Sequence, residues 1–203
     1  MLAVAPVWAV LAVACTPGDQ GGQDRPGTVV PNQDLGSLVV QPEDLPATFV
    51  SFDEGAQTTR DAGPGARADL SRFGRQGGWK ARYRQGDRAI TTGLLVVESR
   101  VDLFTSEKGA RQELSAYETE FKSAEEQGDT LPADVDPIGD EAQAVTLVQG
   151  TGDGAPRFHT VAWRFRNAVG AVTVQGTGGD FTVDQAVDLA REQQSRLRSA
   201  ARP

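Results

Sequence analysis

The chain has 203 residues and a formal net charge of −8, with 20 Lys and Arg against 28 Asp and Glu. This balance argues against nucleic acid as a partner, because phosphate binding draws on basic faces. One cysteine, Cys15, and one histidine, His159, are too few for a zinc site, which needs several such ligands; no metal or cofactor is expected.

The chain opens on an apolar run, Leu2 to Ala14. It is too short for a membrane-spanning helix, which takes about 20 apolar residues. Its end, Ala12-Val13-Ala14-Cys15-Thr16, resembles the lipobox of bacterial lipoproteins, small apolar residues leading into a cysteine that carries lipid. Residues 1–14 therefore read as a signal peptide, Cys15 as the lipidated mature N-terminus, and the extracytoplasmic face of the cell membrane as the location. No Lys or Arg precedes the run, so a true start upstream of Met1 is expected. Cleavage after Ala14 with a free thiol, or an uncleaved anchor, are the alternatives.

Residues 15–36 read as the lipidated cysteine plus a linker rich in Gly, Pro, Gln and Asp. Such composition buries too little to offset the entropy of ordering and is expected to stay disordered. Residues 37–203 then form one domain. Lipidation would use the only thiol, so that domain has no disulfide and must be held by its core.

Within the domain, Leu38-Val39-Val40 precedes a turn at Pro42 to Pro46, and Thr48 to Asp53 alternates as a first strand. Gly55 to Gly65 reads as a loop and Ala66 to Phe73 as a short helix, stopped by Gly74 and Gly77-Gly78. Trp79 to Arg84 and Ala89 to Phe104 form a hairpin about Gly86-Asp87-Arg88. Thr105 or Ser106 caps a helix over Glu107 to Glu126, with Ala110, Leu114, Tyr117, Phe121 and Ala124 as its apolar stripe. Leu131 to Pro137 is an acidic loop.

Three strands follow, Ala142 to Gln149, Arg157 to Arg166 and Ala168 to Gly176, the last two joined by a tight turn at Arg166-Asn167. His159, Val161, Trp163 and Phe165 share one face of the middle strand. Thr182 and Gln185 form a capping box for a last helix reaching about Ser199, with Val183, Ala186, Val187, Ala190 and Leu197 on its buried side. The fold class is α+β: an antiparallel sheet of about six strands carrying two main amphipathic helices in a single domain. Two units, each a β-meander closed by a helix, would share one sheet.

Catalytic chemistry finds little support. His159 reads as a packed core residue, no GxSxG nucleophile context exists, and Cys15 is committed to lipid. Asp134, Asp136, Asp140 and Glu141 lack the spaced ligand loop of an EF-hand, and the glycine-rich pieces at 74–78 and 176–179 lack a phosphate-loop order. Trp79, Arg82, Tyr83, Arg84 and Trp163 are the candidate ligand-facing residues, aromatics interleaved with arginines that would stack on or clamp an anionic ligand; the alternation of a strand with one buried face explains the interleaving equally well. The segment 60–88 is basic and 98–142 acidic, which reads either as two solvated faces or as an anion- or headgroup-facing patch.

The pieces Arg72-Phe73-Gly74-Arg75-Gln76-Gly77-Gly78-Trp79, Val101-Asp102-Leu103-Phe104 and Trp163-Arg164-Phe165-Arg166-Asn167-Ala168-Val169-Gly170 together resemble a group of uncharacterised secreted proteins and lipoproteins of high-GC bacteria. More distantly, the layout is similar to the extracytoplasmic sensor domains of actinobacterial serine/threonine kinases. The resemblance implies a sheet flanked by helices around a cleft, and a ligand-sensing or scaffolding role. Those sensor domains are commonly disulfide-bonded, and this chain has no cysteine to spare. The first expectation is a non-enzymatic, membrane-anchored domain that binds a small ligand or envelope partner. An envelope assembly factor docking through a sheet edge, and a carboxylate-dependent hydrolase, are the alternatives.

Overall fold

Seven strands pair into one antiparallel sheet: β1 (Phe49–Gln57), β2 (Arg75–Gln85), β3 (Gly93–Phe104), β4 (Thr130–Pro132), β5 (Glu141–Val148), β6 (Arg157–Phe165) and β7 (Ala168–Thr177). They lie in the order β1-β2-β3-β7-β6-β5-β4. The computed structural model describes residues 29–32, 34–57, 70–126, 130–132, 135–152, 154–178 and 181–202. Cys15, the signal segment, most of the linker, residues 66–69 of the expected short helix and Asp134 lie outside them.

Two helices complete the fold, α1 (Glu107–Glu126) and α2 (Asp184–Ala200). The sheet is built of two meanders, β1-β2-β3 and β5-β6-β7, each followed by its helix and joined along the β3–β7 pair. The helices lie on opposite faces. On one face α2 covers Val97, Val101, Val161, Trp163, Val172 and Val174. On the other, α1 sets Ala110, Leu114 and Tyr117 against Phe104, Ala162, Val169 and Ala171. Residues two apart on a strand share a face, so each central strand is apolar on both sides, as a sheet covered twice requires.

Sequence and structure part company at glycines and at the N-terminal segment. Gly77 and Gly78 were expected to end a helix, yet they lie inside β2, and only a 3-10 turn at Leu70–Phe73 precedes it. Gly78 pairs across the sheet with Asp102. A Cβ there would collide with the Asp102 carboxylate and the Arg75 guanidinium, which form an ion pair with side chains only 2% exposed. Glycine is used for the space it leaves. β1 likewise continues through Gly55 to Gln57, past the expected Asp53, and the acidic loop supplies β4 as a short edge strand.

The packed domain also starts earlier than residue 37. Val30 is 1% exposed, donates its N–H to Asn167 Oδ1 at 2.6 Å, and its carbonyl accepts from Asn167 Nδ2 at 3.2 Å. From there a strap runs over the α2 face. Val40 N–H donates to Ser99 Oγ at 2.9 Å, and Tyr83 Oη donates to the Val40 carbonyl at 2.9 Å. Leu38, Val39, Val40 and Leu45 are buried beneath it. The expected linker to Gly36 thus has its last residues in the core, because Val30 and Leu35 bring enough apolar surface to seat it.

Helix starts follow local chemistry. Ser106 Oγ accepts from Gly109 N–H at 3.2 Å, so Ser106 serves α1 as its cap. Gln185 Oε1 accepts from Thr182 N–H at 2.8 Å before α2. Arg166 has φ +55°, as the tight β6–β7 turn demands.

Candidate functional site

Strand pairing arranges the α1 face into rows of side chains across the sheet. The first row reads Gly78, Asp102, Val169, Arg164, Glu141; the second Lys80, Arg100, Ala171, Ala162, Gln143. The third is Arg82, Glu98, Thr173, Thr160, Val145, and the fourth Arg84, Val96, Gln175, Phe158, Leu147. The apolar stripe of α1 packs on the first two rows, through Val169, Ala171 and Ala162. Among the described residues no helix packs on the other two, whose side chains are mostly half-buried.

Cations gather at the β2 side of this face. Lys80 Nζ lies 2.9 Å from Asp53, and Arg82 Nε 3.2 Å from Glu98. The hydrogen bond from the Lys80 ammonium holds the Asp53 carboxyl below the usual carboxylate range, against the opposing effect of burial. A bulge in β1 between Ser51 and Asp53 turns Phe52 onto the same corner. The Arg82 and Arg84 guanidiniums stand 4.9 and 5.7 Å from its ring centre, and Phe52 remains 42% exposed. Arg100 sits mid-face with Nε and Nη2 shut off from solvent and without an acceptor. Thr160 and Thr173 touch through their hydroxyls at 3.0 Å.

The five residues singled out from sequence divide between the two faces. Arg82 and Arg84 stand on the α1 face just described. Trp79, Tyr83 and Trp163 point the other way, into the core beneath α2 and the strap. Trp163 is fully buried, donates Nε1–H to Gln194 Oε1 at 2.8 Å, and lies over Gly170, where any Cβ would collide with its ring. Tyr83 is 2% exposed, and burial pushes its phenol up to about 12. Trp79 is half-buried against Gly36 of the strap. The three aromatics line no cleft together with the two arginines, because residues four apart on one strand share a face whereas neighbours do not.

Other candidates are accounted for by packing. His159 is 5% exposed, its Nδ1 2.8 Å from Thr146 Oγ1 and its ring centre 4.7 Å from that of Phe181. Burial pushes its pKa below that of a solvated imidazole. Arg164 engages both Asp140 at 2.9 Å and Glu141 at 3.0 Å, and Asp136 lies beside Arg191 at 3.4 Å. No group of acidic, His or Cys residues suited to a metal occurs among the described residues. A shallow depression of about 340 Å³ between the strap and α2 is lined by Ser37, Ser195, Arg196 and Ser199. Its arginine already holds Asp44 at 2.7 Å.

Sequence reasoning missed Phe52, Lys80, Glu98, Arg100, Thr160 and Thr173. The alternation Glu98, Arg100, Asp102 along β3 was visible, but which strand faces it across the sheet was not.

No protein-family model matches the chain, and no curated protein does. Among solved structures, the chain is similar to the extracellular domain of PknH from Mycobacterium tuberculosis. The TM-score is 0.64 at 14% identity, over 84% of this chain and 98% of that one. The two share a fold. No described helix is long and apolar enough to cross a membrane.

Proposed function

We propose that this chain is a lipid-anchored, sensor-like extracytoplasmic domain that binds a ligand without transforming it, across the third and fourth rows of the α1 face and the β2 end of the second. The observation that carries this reading is the concentration of Lys80, Arg82, Arg84 and Arg100 on a half-covered face of a chain whose net charge is −8. The fold shared with a kinase's extracellular domain supports the class of protein. The lipobox-like sequence at Cys15 supports attachment, with residues 16–28 between the lipid and the strap. The engagement of Asp140 and Glu141 by Arg164 gives both carboxylates a structural role, which supports binding over hydrolysis.

Native mass spectrometry of the full chain taken from its own membranes tests both parts. The expected result is a diacylglyceryl-modified Cys15 and a small bound mass that the double variant Lys80→Glu, Arg82→Glu loses. An unmodified N-terminus removes the anchor from the account; equal retention by the variant removes the site.

A second reading has its own observation. β1 is an edge strand with Val50 and Phe52 exposed by 45% and 42%, a surface on which an envelope protein could add a strand. Cross-links from Val50 to a protein partner would favour it.

A further inference from the structure

We propose that the group recognised on this face is an oxyanion, a carboxylate or phosphate, and that Arg100 is the residue that receives it. The inference rests on the reading of the α1 face as the binding surface and adds the chemistry of what binds.

The case begins with the carboxylates around Arg100. Its same-face neighbours along β3 are Glu98 and Asp102. Glu98 is engaged by Arg82 at 3.2 Å, and Asp102 by Arg75, whose Nε donates to it at 2.7 Å. Its partner across the β2 pair is another cation, Lys80, itself held by Asp53. Both carboxylates of its own strand are thus taken, and among the described residues none stands within ion-pair distance of Arg100. A guanidinium stays charged at every physiological pH, so it cannot escape this situation by losing a proton.

Two of its donors, Nε and Nη2, are buried and lack an acceptor. Buried donors nearly always have one, and an exception calls for a specific cause such as a bound ion or ligand. Other orphaned nitrogens differ in kind. Those of Arg164 and Arg196 belong to guanidiniums that already hold carboxylates. Those of His159 and Gln194 lie in the neutral core beneath α2, each side chain bonded through its other polar atom.

The ground beside Arg100 suits an oxyanion. Ala171 and Ala162, next in its row, are covered by Leu114 and Tyr117 of α1, so Arg100 lies where the covered rows give way to the uncovered ones. One row away, Thr173 and Thr160 bond each other through their hydroxyls. When one hydroxyl donates to the other, the second keeps a proton for an outside acceptor. A guanidinium fork with a hydroxyl donor beside it matches the planar edge of a carboxylate or two oxygens of a phosphate.

Nitrogen-15 NMR of the full chain provides the test, following the Arg100 Nε–H and the Ala171 and Thr173 amides. Sodium acetate and sodium phosphate are titrated against sodium chloride at fixed ionic strength. The expected result is saturable shifts with acetate or phosphate, a Kd raised at least tenfold by Arg100→Gln, and an intermediate Kd for Arg100→Lys. Arg88→Gln, an exposed arginine of the β2–β3 turn, should leave the Kd unchanged. Phosphatidylglycerol vesicles, with phosphatidylcholine vesicles as control, separate the two sources of phosphate. Arg100-dependent binding to the former without shifts from free phosphate assigns a lipid headgroup; the reverse assigns a soluble anion. Equal shifts with chloride, or an unchanged Kd in both Arg100 variants, overturn the proposal. If Lys80→Glu, Arg82→Glu releases the native ligand while Arg100→Gln and Arg100→Lys retain it, the face stands and the anion assignment falls.

Discussion

At Gly170 the side chain is absent because Trp163 occupies its place. The indole lies across the β6–β7 pair, and a Cβ at Gly170 would collide with the ring. Gly170→Ala is therefore expected to lower stability by about 1–3 kcal/mol, the usual range for overpacking a core. Gly55, with nothing within 4 Å of its Cβ position, should accept alanine with little change. Urea unfolding of the two variants checks the contrast, and equal effects would mean that Trp163 is not held where described. His159 supplies a second residue-scale prediction. In the unfolded chain its imidazole takes a proton near pH 6.5; in the fold, burial keeps it neutral to lower pH. Its contribution is complete above about pH 6.5 and is lost as pH falls below it, with a slope of at most about 1.4 kcal/mol per pH unit. Stability measured from pH 7 to 5 should show this slope, and His159→Gln should flatten it; a wild-type slope surviving in the variant would assign it elsewhere. The packing role of His159 was legible from its place in an alternating strand. The sidedness of Trp79 and Tyr83 against Arg82 and Arg84 was equally legible in the period of two, and of the two readings of the interleaving it is strand alternation that the structure bears out.

Among elements, α1, α2 and the last three strands were readable because each carries a clear period and a capping or turn residue at its ends. The strap was not. Its composition is that of a linker, and what holds it, Asn167, lies 137 residues away from Val30 in sequence. Asn167 bonds Val30 twice and also donates to the Phe104 carbonyl at 3.0 Å, tying the strap to the ends of β3 and the β6–β7 turn. Asn167→Ala leaves those buried groups without partners and is expected to cost about 2 kcal/mol or more. Deletion of residues 1–28 should be tolerated, whereas deletion of 1–36 removes Val30 and Leu35 and should lower the thermal midpoint. Calorimetry of the two truncations decides between the strap and the original boundary at residue 37, where both would melt alike. β2 teaches the same lesson in reverse. Gly77 and Gly78 look like a stop until the Arg75–Asp102 pair that Gly78 makes room for is known, and that pair is set by cross-strand register.

For the molecule as a whole, the α+β class and two-meander plan followed from the order of elements, while the placement of the helices on opposite faces did not. Apolar residues on both sides of β3, β6 and β7 were the available signal. This arrangement makes the two faces unequal: α2 and the strap close one, and α1 covers half of the other. The central claim is that the uncovered half binds. An arginine-specific modification footprint of the full chain from its own membranes, taken before and after its bound material is washed away, tests this most directly. Arg82 and Arg84 should react slowly in the loaded protein and faster once it is stripped, with Arg88 and Arg198 unchanged throughout. Protection confined to Arg198 and its neighbours on α2, or none at Arg82 and Arg84, would contradict the account.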